Sequence, residues 1–264
     1  MIATDLDGTL LGADHAISPR TRSALRACAR AGIPVVFVTA RPPRTVARLA
    51  ADTGVEITAI CSNGALVVDY ASGKTTVVHE FAHDDARRLV DQLRSVLPDA
   101  GYALESGDTV WYDNLFRIGI VSGDAGKLTD PWEGAWTVAD RIVKVLARSP
   151  SLDADWMLEA ALGAVDVECE ISHSGGTGLL EIAPRGSTKA TTLAWLCAER
   201  GIDAADVVAF GDMPNDLPML RWAGTAYAVA TAHPDVLAAA DHTTAANDHD
   251  GVALVLERLL ESAS

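Results

Sequence analysis

Apolar strand-like segments alternate with amphipathic helical segments at the start of the chain. The first helical pattern has Pro19 near its beginning and Gly32 at its end, positions that suit a helix start and a helix stop. The predicted strands cover residues 1–4, 33–38 and 57–61, and the predicted helices cover 19–32 and 43–54. Strands that alternate with helices pair in parallel and are buried on both faces. The pattern therefore predicts an α/β domain.

The same alternation returns towards the end of the chain. Its strand-like run VVAF is wholly apolar, which is typical of a strand covered on both faces. The segments are helices at 188–201 and 215–224, strands at 205–210 and 226–230, and two further helices before the end. We therefore expect both parts of the chain to share one Rossmann-like, doubly wound parallel sheet.

The middle of the chain has a different pattern. A hairpin at 65–81, with its turn at SGK, leads into a helix at 84–97, after which strands dominate. The later segments are strands at 102–107, 109–113, 116–122, 141–149, 163–172 and 178–184, a helix at 153–163 and a loop at 128–140. This order predicts an α+β cap domain, residues 83–185, inserted into an α/β core formed by residues 1–82 and 186–264.

Polar residues follow the predicted parallel strands at the points where the strands end. They are Asp5 and Asp7 after the first strand, Thr39 and Arg41 after the second, Asn63 after the third, and Asp212, Asn215 and Asp216 after the strand at 205–210. Lys189 opens the helix that precedes this last strand. Open α/β sheets bind ligands at the carboxyl ends of their strands, so we expect these side chains to meet at one edge of the sheet.

The chemistry that such a set of residues can perform is narrow. Several carboxylates around one point repel one another unless a cation offsets their charge, and a hard cation such as Mg²⁺ prefers oxygen ligands. One aspartate can then attack a phosphoryl group and form an aspartyl-phosphate. Asp7 could protonate the leaving oxygen and later activate water, while Gly8 would allow a tight turn beside the phosphate. The charge of the transferring group calls for a metal, a lysine and preorganised donors.

Four short motifs, in this order, resemble those of the haloacid dehalogenase-like superfamily. They are DLDGTL at 5–10, VTAR with Thr39, STKATT with Lys189, and GDMPND at 211–216. The insertion lies after SNGA and before LLEIAPRGSTK, a placement similar to that in the Cof-type branch of cytoplasmic hydrolases. The likeness covers essentially the whole chain.

The resemblance implies a role for each matching residue. It implies Asp5 as nucleophile, Asp7 as general acid and base, and Thr39 and Lys189 as phosphate-binding residues. The implied ligands of Mg²⁺ are Asp5, the backbone carbonyl of Asp7, and Asp212, with Asn215 and Asp216 supporting the metal site and orienting Lys189. We also count Arg41 and Asn63 among the phosphate-binding candidates.

Taken alone, each motif also has a simpler interpretation. A DxD is most often a solvated turn, and a GDxxND most often caps the start of a helix. Lys189 could be a solvated lysine, and Arg41 and Arg44 could merely pair with nearby acids. The functional interpretation is favoured because the motifs occur together, in order, at strand ends.

The function we expect is hydrolysis of a small phosphorylated metabolite by a Mg²⁺-dependent phosphatase. A phosphotransferase or sugar-phosphate mutase would use the same residues, with a second hydroxyl accepting the phosphoryl group. A non-enzymatic regulator that accepts phosphate on Asp5 is the alternative from a different class. The inserted domain argues against a regulator, because receiver domains are compact and uninterrupted.

Composition limits the partners of the chain. A formal charge of −15 over 264 residues argues against binding to nucleic acid or to an anionic membrane surface. The four cysteines lack metal-binding or disulfide spacing, and the chain has neither a leader pattern nor a long apolar run. We therefore expect a cytoplasmic protein; nothing in the pattern predicts an oligomeric state.

One loop of the inserted domain is a candidate for substrate selectivity. The segment SHSGGTG at 172–178 joins two predicted strands, and its glycines permit mobility or close backbone approach. Replacement of His173 and Ser174 by alanine would then alter the ranking of substrates. The alternative is the tryptophan-bearing segment 132–136, although we expect the six tryptophans to be mainly core residues.

Overall fold

The structure is a computed structural model that describes residues 1–116, 126–129, 132–173 and 177–262. The chain divides into two compact units. The first comprises Met1–Thr76 and Thr188–Ser264, and the second comprises Val77–Ser187. The second unit is thus an insertion in the first, and the borders predicted from the sequence lie a few residues from the borders of the units.

The secondary structure of the described residues is as follows. The strands are β1 (Ile2–Thr4), β2 (Val35–Val38), β3 (Thr58–Cys61), β4 (Leu66–Asp69), β5 (Lys74–Val77), β6 (Gly101–Glu105), β7 (Val110–Tyr112), β8 (Gly126–Leu128), β9 (Lys144–Asp153), β10 (Cys169–Ser172), β11 (Thr177–Pro184), β12 (Val208–Gly211), β13 (Thr225–Val229) and β14 (His242–Thr244). The helices are α1 (Pro19–Arg30), α2 (Pro43–Thr53), α3 (His83–Val96), α4 (Ala135–Val138), α5 (Ala154–Ala164), α6 (Lys189–Glu199), α7 (Leu217–Trp222), α8 (Pro234–Ala239) and α9 (Gly251–Ser262).

The first unit contains a sheet of eight strands in the order β14-β13-β12-β1-β2-β3-β4-β5. The six strands from β14 to β3 pair in parallel, and β4 pairs antiparallel with β3. In this register Thr4 lies opposite both Phe37 and Phe210. Successive connections run in one direction from β1 to β3 and in the other from β12 to β14, so the switch point lies between β1 and β12. The predicted doubly wound α/β core is confirmed.

Local sequence signals explain where the helices of this unit begin. Ser18 caps α1 by accepting a hydrogen bond from the Thr21 amide, and Pro19 occupies the first turn, where its missing N–H costs nothing. Thr188 and Thr191 form a reciprocal capping box at the start of α6, which fixes the backbone that presents Lys189. Among the helices of the described residues, none combines the length and the apolar character that a bilayer crossing requires.

The second unit is an α+β domain with its own core. Its sheet has the order β10-β11-β9-β6-β7-β8, with antiparallel pairs except for β7 and β8. Apolar residues of α3 and α5 pack against alternate residues of the strands. The buried side chains include Leu89, Leu93, Tyr102, Val145, Met157, Leu180 and Ile182. The inserted α+β domain is therefore present as predicted.

Several element predictions in this unit need correction. The strand predicted at 163–172 is confined to Cys169–Ser172, because Gly163 and Ala164 complete α5. The loop predicted at 128–140 contains a 3₁₀ turn, Trp132–Gly134, followed by α4. The sequence pattern did not predict β8 or β14. Most of the strand predicted at 116–122 lies outside the described residues.

The tryptophans divide between core and surface. Trp132 and Trp136 are buried and pack edge to face, with ring centroids 5.8 Å apart. The expectation of core positions is wrong for Trp156 and Trp195, which are 51% and 37% exposed. The buried pair of indoles belongs to the core of the second unit.

Candidate active site

The sheet register brings the predicted site residues of the first unit to one edge. Asp5 directly follows β1, and its amide donates to the Phe210 carbonyl on the neighbouring strand, 3.0 Å away. Thr39 follows β2, and its amide donates to the carbonyl of Ile60 in β3 at 2.8 Å. Asp212 follows β12. The carboxyl ends of three adjacent strands, β12, β1 and β2, therefore carry the candidate groups.

Three buried aspartates form a cluster beside the switch point. Carboxylate oxygens of Asp5, Asp212 and Asp216 lie within 4.8 Å of one another. The Thr9 hydroxyl donates to Asp212 Oδ1 at 2.7 Å. Gly8, at φ +76°, lies against the same carboxylate, and a Cβ built there would be 2.3 Å from Asp212 Oδ2. The turn after β1 therefore needs glycine at this position for both conformation and space.

Lys189 supplies a positive charge to this cluster. Its ammonium donates to Asp5 Oδ1 at 2.7 Å and to Asp216 Oδ1 at 2.6 Å, and the side chain is almost fully buried. The other oxygen of Asp216 accepts from the amides of Asp212 and Met213, at 3.0 and 3.1 Å. Asp216 thus joins the lysine to the backbone that follows β12. The simpler interpretation of Lys189 as a solvated lysine is wrong.

The protonation of the cluster follows from its burial and charge. Burial raises the pKa of Asp5 well above its ordinary value; Asp216 and Asp212 raise it further, and Lys189 opposes them. Burial also raises the pKa of Asp212 to about 6, against the opposing hydrogen bond from Thr9. For Lys189, burial lowers the pKa, but the charges of Asp216 and Asp5 outweigh it and leave the pKa above its ordinary value. The ammonium therefore keeps its charge, while Asp5 and Asp212 bind protons more readily than ordinary aspartates do.

A hard divalent cation suits this group of residues. The donors are all carboxylate oxygens, the ligand type that Mg²⁺ prefers, and three carboxylates face only one lysine ammonium in the cluster as described. The buried side-chain oxygen of Asn215, next to the cluster in sequence, has no hydrogen-bond partner among the described residues. The cluster could therefore hold a metal ion.

Asp7 lies in a different environment from Asp5. Its side chain is 45% exposed, compared with 8% for Asp5. The guanidinium of Arg41 contacts both of its oxygens: Nε donates to Oδ2 at 2.6 Å, and the second nitrogen donates to Oδ1. The exposed ring of His15 also approaches, with Nδ1 3.4 Å from Asp7 Oδ1. Of the two aspartates of the DxD, one is buried against a lysine and the other is accessible and paired with an arginine.

A strained loop after β3 connects the other candidate segments. Ser62, Asn63 and Gly64 all have positive φ, at 53°, 56° and 107°. The amides of Ser62 and Asn63 donate to the carbonyls of Arg41 and Thr39, at 3.0 and 3.1 Å. On the other side, the Thr192 hydroxyl of α6 donates to the Gly64 carbonyl at 2.7 Å. The loop therefore links the Thr39–Arg41 segment to the first turns of the helix that carries Lys189.

The comparison with known protein families agrees with this geometry. The sequence model of the haloacid dehalogenase-like hydrolases matches residues 2–256. The chain belongs to this family. The resemblance of its four motifs is thereby confirmed, and phosphoric monoester hydrolysis is the activity that the family and the phosphatase relatives support. The alternative of a non-enzymatic regulator is not supported.

Relatives of this haloacid dehalogenase-like hydrolase match it along nearly its whole length. A 5-amino-6-(5-phospho-D-ribitylamino)uracil phosphatase of Bacillus subtilis, YwtE, is 28% identical, over 98% of this chain and 97% of its own. A phosphoglycolate phosphatase of Halobacterium salinarum is 27% identical, over 98% and 96% of the two chains. A haloacid dehalogenase-like hydrolase of Bacteroides thetaiotaomicron has a similar structure, with a TM-score of 0.83, 25% identity and 98% coverage of both chains.

Some contacts of this hydrolase were not anticipated from its sequence. Thr9 lies in the first motif, but its hydrogen bond to Asp212 joins the segments that follow β1 and β12, which are distant in sequence. Thr192 carries no motif signal, because a threonine within a helix is ordinary. In the second unit, the ring of His173 is 2.9 Å from Asp155 Oδ1, and Ser174 lies outside the described residues.

Proposed function

We propose that the protein is a Mg²⁺-dependent phosphatase that acts on a small phosphorylated metabolite through an aspartyl-phosphate on Asp5. The observation that carries this proposal is the contrast within the DxD motif. Asp5 is buried, touches Lys189 and adjoins two further aspartates, whereas Asp7, two residues on, is accessible. A nucleophile needs the first environment, and a group that exchanges protons with substrate and water needs the second.

In the first step, a carboxylate oxygen of Asp5 attacks phosphorus, and the bond from phosphorus to the leaving oxygen breaks. The electron pair stays on the leaving oxygen, which takes a proton from the Asp7 carboxyl. In the second step, Asp7 accepts a proton from water as the water oxygen attacks phosphorus. The bond between phosphorus and Asp5 then breaks, which releases inorganic phosphate and restores Asp5.

Lys189 serves both steps by favouring the ionised form of Asp5. Its ammonium contacts Asp5 Oδ1 and offsets the effect of burial, which favours the protonated and non-nucleophilic form. Mg²⁺ held by Asp5, the Asp7 carbonyl and Asp212 would neutralise charge on the phosphoryl group. Asp216 and Asn215 would support that ion, and the phosphate would be bound by Thr39, Lys189 and Asn63. Arg41, counted with these residues from the sequence, contacts Asp7 instead.

The substrate class is inferred from the family and the relatives. The two relatives described above act, by name, on a phosphorylated ribitylaminouracil and on phosphoglycolate, which share the phosphate ester but little else. We therefore propose a small phosphomonoester and assign leaving-group selectivity to the inserted domain, residues 83–185. None of the four cysteines, which all lie among the described residues, forms a disulfide bond, which suits the cytoplasm as the proposed compartment.

The proposal is tested by steady-state hydrolysis of 4-nitrophenyl phosphate with and without Mg²⁺. Asp5→Asn is expected to abolish turnover, whereas Asp52→Asn, at an exposed position of α2, is expected to retain it. Full activity of Asp5→Asn would overturn the nucleophile assignment. A panel of phosphorylated metabolites that includes the two named substrates then ranks leaving groups. Phosphate release at the rate of substrate loss indicates hydrolysis, whereas an isomerised product without release indicates a mutase.

A further inference from the structure

Arg41 makes a two-point contact with the carboxylate of Asp7. Nε donates to Oδ2 at 2.6 Å while the terminal nitrogen donates to Oδ1, so the guanidinium and carboxylate meet as two matched forks. A contact through both oxygens restricts rotation of the carboxylate plane, which a single hydrogen bond does not do. The arginine therefore sets the direction in which Asp7 presents its oxygens.

The backbone of Arg41 is itself held in place. Its amide donates to the Thr39 hydroxyl at 3.1 Å, and its carbonyl accepts from the Ser62 amide at 3.0 Å. The side chain is mostly buried, which limits the conformations open to it. The hydrogen bond to Asp7 raises the pKa of Arg41 above its ordinary value, against the opposing effect of burial, so the guanidinium stays charged. A fixed cationic fork thus faces an otherwise accessible carboxylate.

We propose that Arg41 is a positioning residue for Asp7, which it aims at the leaving oxygen, and that binding of the phosphoryl group is not its main role. This inference deepens the proposed function and rests on it. When Asp7 carries the proton on Oδ1, each oxygen keeps a lone pair for Arg41, so both contacts persist and the proton lies on the side of Oδ1 that faces away from the guanidinium. The hydroxyl is then held in a defined direction for transfer to the leaving oxygen. In the second step the carboxylate accepts the proton of water on the same oxygen.

Leaving-group dependence separates the two roles of Arg41. 4-Nitrophenolate departs without help from an acid, whereas an alkoxide needs a proton as it leaves. Substitution of a residue that acts through Asp7 therefore lowers kcat/KM for an alkyl phosphate more than for 4-nitrophenyl phosphate. A residue that binds the phosphoryl group affects both esters equally, because that group is the same in each. The value of kcat/KM reports the step in which the leaving group departs.

The experiment measures kcat/KM of the Mg²⁺-loaded enzyme for glycerol 3-phosphate and 4-nitrophenyl phosphate. For Arg41→Gln we expect the loss on the alkyl ester to exceed the loss on the aryl ester by about tenfold or more. Arg41→Lys keeps the charge but lacks the fork, so it is expected to show the same selective loss. Inhibition by inorganic phosphate is expected to change less than about threefold in both variants.

A double-mutant cycle with Asp7→Asn completes the test. Asp7→Asn alone is expected to reduce kcat/KM for the alkyl ester more than for the aryl ester. Adding Arg41→Gln is expected to cause little further selective loss, because Arg41 acts through Asp7. Thr39→Val provides a calibration, with equal losses expected on both esters. Two results would overturn the inference about Arg41 and leave the proposed function intact. One is an equal loss of kcat/KM on both esters for Arg41→Gln. The other is a selective loss that persists in full when Arg41→Gln is added to Asp7→Asn. Activity that survives in Asp5→Asn would overturn the proposed function and this inference together.

Discussion

Lys189 places a positive charge where almost no water reaches it. Its two partners, Asp5 and Asp216, are also buried, so all three side chains are largely desolvated. Such a set is stable only while it is complete, because removal of one member leaves the others charged in a poorly solvated place. The same lysine that favours the ionised form of Asp5, the proposed nucleophile, is thereby a structural element of the fold.

The residue-scale prediction from this contact concerns Lys189→Met. We expect the free energy of unfolding at pH 8 to fall by about 3 kcal/mol or more, because two buried carboxylates lose their cation. The deficit should shrink at pH 5, because the raised pKa of Asp5 allows that carboxylate to bind a proton as the pH falls. The matched control is Lys74→Met at an exposed position, expected to change stability by no more than about 0.5 kcal/mol. Urea unfolding at both pH values measures the effect, and equal losses for the two variants would contradict it.

A second residue-scale prediction follows from Asp212, whose pKa is raised to about 6 by burial. The carboxyl is ionised above that pH and protonated below it, so protons compete with Mg²⁺ as the pH falls. The affinity for Mg²⁺ is expected to fall about tenfold between pH 7.5 and pH 5 from this group alone, and the raised pKa of Asp5 adds to the loss. Calorimetric titration of the metal-free protein with MgCl₂ measures it; a constant affinity would contradict the assignment.

The same pKa determines how the stability of the metal-free protein changes with pH. The metal-free folded protein binds the Asp212 proton more tightly than the unfolded chain does. Ionisation of this group therefore lowers the stability of the metal-free protein as the pH rises from about 4 to about 6. Mg²⁺ is expected to reverse this loss above pH 6, which thermal unfolding with and without the ion would reveal.

At the scale of elements, the loop Ser62–Gly64 has the most demanding conformation near the site. Three consecutive residues have positive φ, and two of them are not glycine. Its hydrogen bonds to the Thr39–Arg41 segment and to α6 hold this conformation. Strain of this kind persists only where surrounding contacts determine it, and here those contacts come from both candidate phosphate-binding segments.

The element-scale prediction compares two glycines with positive φ. A Cβ on Gly64 would lie 2.4 Å from the Thr188 carbonyl oxygen, whereas a Cβ on Gly73 would meet nothing within 4 Å. Gly73→Ala is expected to lower the free energy of unfolding by about 1 kcal/mol, because alanine is strained at positive φ. Gly64→Ala is expected to cost about 2 kcal/mol or more, since the start of α6 must also move. It should also raise the KM for 4-nitrophenyl phosphate; equal stability losses and an unchanged KM would contradict this account.

Elements with a clear hydrophobic period could be predicted from the sequence, and short ones could not. α1 and α2 have long apolar stripes, β2 is uniformly apolar and β3 is apolar except for Thr58, so their positions were predicted within a few residues. β14, with the sequence HTT, and the four-residue α4 lack such a pattern. Their conformations depend on neighbours that are distant in sequence, namely β13 for β14 and the packed core of the second unit around α4.

The candidate site was predictable to a similar degree. Motif order and strand ends were sufficient to bring Asp5, Asp212 and Lys189 together, because sheet topology places strand ends at one edge. The resemblance implied that Asp216 orients Lys189, but other side-chain partners were not predictable, since they depend on distances that only the fold defines. The two-point contact of Arg41 with Asp7 and the bond from Thr9 to Asp212 are examples.

The two units of the whole molecule have different proposed roles. The described carboxylate cluster, Lys189, Asp7 and Arg41 all belong to the unit formed by Met1–Thr76 and Thr188–Ser264. The second unit, Val77–Ser187, has its own apolar core and is inserted between the second and third motifs. Phosphoryl chemistry is therefore proposed for the first unit, and leaving-group selectivity for the second.

In the proposed mechanism the phosphoryl group passes through Asp5. Acid quench during turnover of 4-nitrophenyl phosphate with Mg²⁺, followed by peptide mass spectrometry, detects that intermediate. We predict one added phosphoryl group on Asp5 in the wild-type protein, more of it in Asp7→Asn, which lacks the base that activates water, and none in Asp5→Asn. Turnover by the wild-type protein with no phosphoryl group on Asp5, or with the group on another residue, would contradict the account.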